Sequence, residues 1–185
     1  MILGQNIWKY TQAVGSFKDA VKTIGLIKDA YNNGHGDLVA PLWIVFVVTY
    51  SKPFTNNKKI GKVSDNIVPS DLKKIHRSVL KVRNTTYGHI DPEETLDNGV
   101  PLNSAFFSVR DRLIIPDSKG IMPHDQEIDK FENLAEEVHN QAFLKLGQYL
   151  QESEEFRDLE DGDYVYDYIE FEGQHLRKIS PTEPS

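Results

Sequence analysis

Thirteen consecutive residues, Leu38 to Tyr50, read L-V-A-P-L-W-I-V-F-V-V-T-Y without a charge. A bilayer span needs roughly 20 apolar residues, so the run is read as core rather than membrane. Its periodicity does not separate a buried helix from a buried strand. Its length, and Asp37 as a cap before it, favour a helix, with Pro41 tolerated in the first turn.

The neighbouring segments decide the fold class. Ile7, Tyr10, Val14, Phe17, Val21 and Ile24 recur at spacings of three and four, which predicts a helix over 7–31. Asn32 to Gly36 stops it, with Gly34 as a left-handed cap. The stretch 51–69 is punctuated by Pro53, Gly61 and Pro69 and reads as a loop. Ser70 is the expected N-cap of a third helix whose stripe is Leu72, Ile75, Val79 and Val82, ending near Gly88 before Pro92. The stretch 91–103 reads as irregular. Residues 105–115 alternate as a strand or short hairpin, followed by a turn at 116–120. The last long helix spans 125–151, with Ile128, Phe131, Leu134, Val138, Ala142, Lys145 and Tyr149 on one face. Tyr164 to Phe171 can pair as a strand, and 180–185, with two prolines, are expected to be disordered.

These elements predict a mainly α protein: an antiparallel four-to-five-helix bundle with a small β insertion near 105–121. The expected domains are a helical one over 1–151 and an acidic C-terminal extension over 152–185. No basic cluster followed by an apolar run opens the chain, so no secretory signal is expected. With no cysteine, thiolate metal sites and cysteine nucleophiles are excluded. The expected location is the cytoplasm, with no membrane partner.

The net charge of −7 averages two opposed segments. Residues 52–83 carry nine basic and two acidic side chains, whereas 152–172 carry ten acidic ones and a lone arginine. A polyanion is drawn to the first and repelled by the second. Lys52, Lys58, Lys59, Lys62, His76, Arg77 and Tyr87 are therefore the candidate nucleic-acid contacts. The acidic segment is a candidate cover for the basic one.

Residues 82–91, V-R-N-T-T-Y-G-H-I-D, hold the main candidate site. Arg83 shares a helix face with His76 and Tyr87, and the apolar stripe would leave that side to solvent. His89 lies about 120° from Arg83 in an unbroken helix, so the two meet only if the backbone unwinds at Gly88 or a second subunit intervenes. Arginine offers a planar fork to phosphate, histidine moves a proton near neutral pH, and asparagine can orient either partner. The same residues equally suit a structural role, satisfying carbonyls and complementing the dipole at a helix C-terminus.

Arg83-Asn84-Thr85-Thr86-Tyr87-Gly88-His89 resembles the Arg-Asn…His signature of the HEPN superfamily (higher eukaryotes and prokaryotes nucleotide-binding domain). Five residues separate arginine from histidine, within the four to six of that signature. Leu80 to Asp91 is similar to a bacterial HEPN-like segment with Val82 and Gly88 in place of leucine and alanine. The second helix ending in Tyr50-Ser51-Lys52-Pro53-Phe54 is of the same type. The resemblance implies an all-α, metal-independent endoribonuclease needing no cofactor, with Arg83, His89 and Asn84 as catalytic residues. It implies a homodimer through the motif-bearing helix, RNA as substrate, and a toxin or antiphage role with an antitoxin or other protein partner. A non-catalytic interaction module of the same ancestry is the alternative.

Other constellations are weaker. Glu136 and His139 make one Glu-x-x-His pair, but a di-iron bundle needs a second. His35 and His175 lack partners in sequence, and no serine sits in a glycine elbow.

Overall fold

A computed structural model describes residues 2–56, 58, 60–88, 106–110, 113–117, 122–169 and 173–178. Over these the chain is a mainly helical bundle with four α-helices. The first, α1 (Ile2–Asn32), buries Ile7, Tyr10, Ala13, Phe17, Ala20, Ile24, Ile27 and Ala30 along one face. It begins more than a turn earlier than the apolar spacing predicts. It ends at Gly34, whose φ of 73° is easily reached without a Cβ. The N–H of His35 donates to the Ala30 carbonyl and that of Gly34 to the Tyr31 carbonyl, the two bonds of a Schellman cap.

The next helix, α2 (Gly36–Ser51), settles the ambiguous run as helix. Two details differ from expectation. Asp37 lies inside the first turn and makes no cap bond, so it acts on the helix dipole. Because the helix starts at Gly36, Pro41 is its sixth residue, past the first turn. The carbonyl that loses its partner there is Asp37's, at the exposed start of the helix. Gly36–Phe54 is long and apolar enough by composition to cross a membrane. Here Val39, Trp43, Phe46, Val47 and Tyr50 of that stretch are buried in the protein core.

The loop that follows is more structured than its composition predicts. Short 3₁₀ turns form at Lys52–Phe54 and Asp65–Ile67. The Val63 N–H donates to the Pro53 carbonyl at 2.9 Å, and Phe54, Val63 and Val68 are buried. A third 3₁₀ turn, Ser70–Leu72, leads into α3 (Lys73–Val82), and Ser70 lies within that turn rather than capping the helix. The last helix, α4 (Ile128–Glu152), buries Ile128, Leu134, Ala135, Val138 and Ala142.

In the bundle, α1 packs on both α2 and α4, and α3 on α2 and α4. Lys28 of α1 reaches Asp129 and Glu132 of α4, and the Tyr31 hydroxyl donates to the Pro123 carbonyl at 2.8 Å. An aromatic cluster fills the centre. Trp43 and Phe131 meet edge to face at 4.9 Å, and Phe17 lies 5.8 Å from Tyr50 and 5.5 Å from Phe54.

Two antiparallel hairpins complete the described chain. In the first, β1 (Phe106–Arg110) pairs with β2 (Leu113–Asp117), Arg110 opposite Leu113. Pro116 and Asp117, read as part of a turn, are strand residues here. In the second, β3 (Tyr164–Ile169) pairs with β4 (Gly173–Lys178), and β3 packs against α1. The expectations for 91–103 and 180–185 fall outside the described residues.

Candidate functional site

At the end of α3 the helix widens. Arg83–Gly88 is wound as a π-helix, a form that recurs at functional sites. The Thr85 hydroxyl donates to the Lys81 carbonyl at 2.8 Å, taking the acceptor that the Thr85 N–H would use in an α-helix. The Thr11, Thr23 and Ser78 hydroxyls make the same bond inside regular α-helix, so this bond by itself does not set the winding. Arg83 is half-buried, and its Nη1 donates to the Asn84 Oδ1 at 3.0 Å. Among the described residues no carboxylate pairs with Arg83. Arg83 and Asn84 are therefore brought together, with one bond of the guanidinium fork made to the neighbouring amide. The backbone of Tyr87 belongs to the π segment. His89, the third member of the motif, lies outside the described residues.

His76 corrects the sequence reading. It was expected on the open side of α3, among the nucleic-acid contacts, yet it is 2% exposed. Its Nδ1 lies 2.9 Å from the Tyr50 hydroxyl, and its ring meets that of Phe54 edge to face at 4.6 Å. The physical reason is width. A packed helix face spans 100° or more, so the inward face includes His76 beside Leu72, Val79 and Val82. Burial holds the imidazole below its ordinary pKa; Asp65 opposes the effect, while Lys62, Arg77 and Lys73 reinforce it. The same burial pushes the Tyr50 phenol up, so the pair is neutral.

The remaining basic candidates stay at the surface. Lys52, Lys58 and Arg77 are exposed without acidic partners among the described residues, whereas Lys62 pairs with Asp65 at 3.4 Å. Arg77 turns its Nε back to the Lys73 carbonyl at 3.3 Å. Lys59 lies outside the described residues, as does the side chain of Tyr87. The described tail packs on α1 through β3, and Glu160 pairs with Lys178 of the tail itself.

Two clefts adjoin these residues. A groove of about 530 Å³ runs beside α3, lined by Trp43, Lys74, Ile75, Val82, Lys130 and Phe131. A smaller cleft of about 220 Å³ sets Lys52 and Thr55 against Trp8, Lys9, Gln12 and Ser16 of α1. Sequence reasoning did not single out Trp8 and Lys9. Their signal was a run of polar and amphipathic residues at helical spacing beside the apolar stripe of α1. Among the described residues no group of three or more His, Asp or Glu side chains could hold a metal ion, so Glu136 and His139 do not belong to such a set. No protein family, curated protein or solved structure matches the chain.

Proposed function

We propose that this chain is an endoribonuclease of HEPN type, in which Arg83 and Asn84 grip the scissile phosphate and His89 moves the proton. The observation that carries the reading is the state of Arg83. Its guanidinium sits on a π-wound turn, half-buried, bonded to a neutral amide and to no carboxylate among the described residues. An arginine fork is the group that neutralises a phosphodiester as negative charge builds on it.

In this reading the substrate's 2′-hydroxyl gives up its proton and its oxygen attacks phosphorus. The bond to the 5′-oxygen breaks, and that oxygen leaves with a proton. The products are a 2′,3′-cyclic phosphate and a 5′-hydroxyl. The nucleophile is supplied by the RNA itself, so the step needs no metal-bound water. The reading takes the fold as an antiparallel bundle interrupted by the β1–β2 hairpin and extended by the acidic tail. It places the protein in toxin or antiphage systems, acting as a homodimer with an antitoxin or similar protein partner.

The test is mixed RNA incubated in EDTA with the purified protein and its Arg83→Ala and His89→Ala variants. Cleavage by the parent alone, leaving cyclic phosphate ends, is expected. Equal cleavage by all three exposes a contaminant and ends the proposal. Salt-dependent binding with no cleavage by any of them supports the second reading, a non-catalytic RNA-binding module, which the exposed Lys52, Lys58 and Arg77 favour, none of them paired with an acid among the described residues.

A further inference from the structure

The face of α2 opposite the core carries no charge over its central three turns. Leu38, Ile44, Val45 and Val48 are 48%, 42%, 49% and 45% exposed, and Pro41 is exposed among them. At about 100° per residue these five side chains fall within a sector of roughly 120°, diametrically away from Val39, Trp43, Phe46 and Tyr50. Single exposed apolar residues occur elsewhere and are ordinary, but five aligned on one uncharged helix face mark a contact surface.

We propose that this stripe is the interface of a two-fold symmetric homodimer in which α2 pairs antiparallel with its own copy. The ends of the helix identify the occupant. Asp37 and Lys52 bracket the stripe, both exposed and both without an ion-pair partner among the described residues. In an antiparallel pair with its axis between Ile44 and Val45, Asp37 of each chain lies opposite Lys52 of the other. The same register puts Pro41 opposite Val48 and Ile44 opposite Val45, so apolar side chains meet across the axis. Asp37 and Lys52 are about 22 Å apart along the helix, and a slip of one turn, about 5.4 Å, would separate both charge pairs. A surface that is complementary to itself about one axis is what a closed dimer requires.

A single helix face is small beside the ~800 Å² per partner of a standard stable interface, so the dimer is weak, with a Kd on the order of micromolar. The proposal goes beyond the ribonuclease reading and does not depend on it. It moves the interface from the motif-bearing helix to α2. The π turn bearing Arg83 packs on α2, so both copies of that turn flank the new interface.

Sedimentation of the full chain over a concentration series, without RNA, tests the proposal. A reversible monomer–dimer equilibrium is expected. Val45→Glu, at an exposed position, should weaken it at least ~10-fold while leaving the helical circular dichroism unchanged. Lys52→Asp should weaken it less, and adding Asp37→Lys to that variant should restore the parent Kd. A chain that is monomeric at every concentration overturns the proposal, as does a dimer indifferent to Val45→Glu. Failure of the double swap to recover what Lys52→Asp loses rules out the antiparallel register. A monomer that floats with phosphatidylcholine vesicles would assign the stripe to lipid instead.

Discussion

His76 and Arg83 stand seven residues apart on one helical run, share a face by sequence, and have opposite environments. His76 is sealed between Tyr50 and Phe54, its ring neutral and its hydrogen bond internal. Arg83, about 10 Å further along the axis, is half exposed on a widened turn and bonded to its neighbour Asn84. Azimuth on a helix says which way a side chain sets out, not whether another element covers it there. The first residue maintains the fold. The second carries a charge that no carboxylate among the described residues pairs. Substitutions at the two should separate stability from binding.

The largest expected effect is on the buried side of this comparison. His76→Ala empties a site walled by Tyr50 and Phe54 and strands the phenol hydroxyl, which should cost about 2–4 kcal/mol in chemical denaturation. A loss under ~1 kcal/mol would mean the imidazole is not packed as described. Tyr50→Phe keeps the volume and removes the hydroxyl alone. It should cost about 1–2 kcal/mol, and less if the His76 ring turns to another partner.

Acid sharpens the contrast further. The folded His76 pKa lies below the unfolded value of about 6.5, so the unfolded chain binds the proton first. Its share of stability is whole above that pH. It is lost as pH falls below about 6.5 toward the folded pKa, at up to about 1.4 kcal/mol per pH unit. Denaturation of a His76→Gln variant across the same range should lack that slope. An identical slope would assign the protons to other groups.

On the exposed side, Arg83→Ala should change stability by no more than about 0.5 kcal/mol, the scale of ordinary surface substitutions. Its consequence is for RNA: affinity should drop and the salt dependence of binding should become shallower by about one unit. If Arg83→Ala instead unfolds the protein while RNA binding per folded molecule persists, the assignment of roles to the two residues is reversed.

α1, α3 and α4 were legible because their apolar residues repeat every three or four positions, and the end of α1 because Gly34 takes a left-handed turn; α2 was read from the length of its run. The Arg83–Asn84 pair was legible as a motif, being two adjacent residues. The widened turn beneath it was not. Thr85 bonds the Lys81 carbonyl there, but Thr11 and Thr23 make the same bond in the regular α1, so no residue of the motif announces the change of winding.

What the sequence determined by itself is local: the run from Leu38 to Tyr50 must be regular and must turn one apolar face away from water. Which side of that helix would be hidden was decided only by packing. α1 and α3 cover one face and leave Leu38, Ile44, Val45 and Val48 outside. The same packing drew His76 in, because Tyr50, 26 residues earlier in the chain, brings its hydroxyl to the buried imidazole. Side-chain spacing is written along the chain, whereas cover comes from segments far away in it, and no local pattern encodes their arrival.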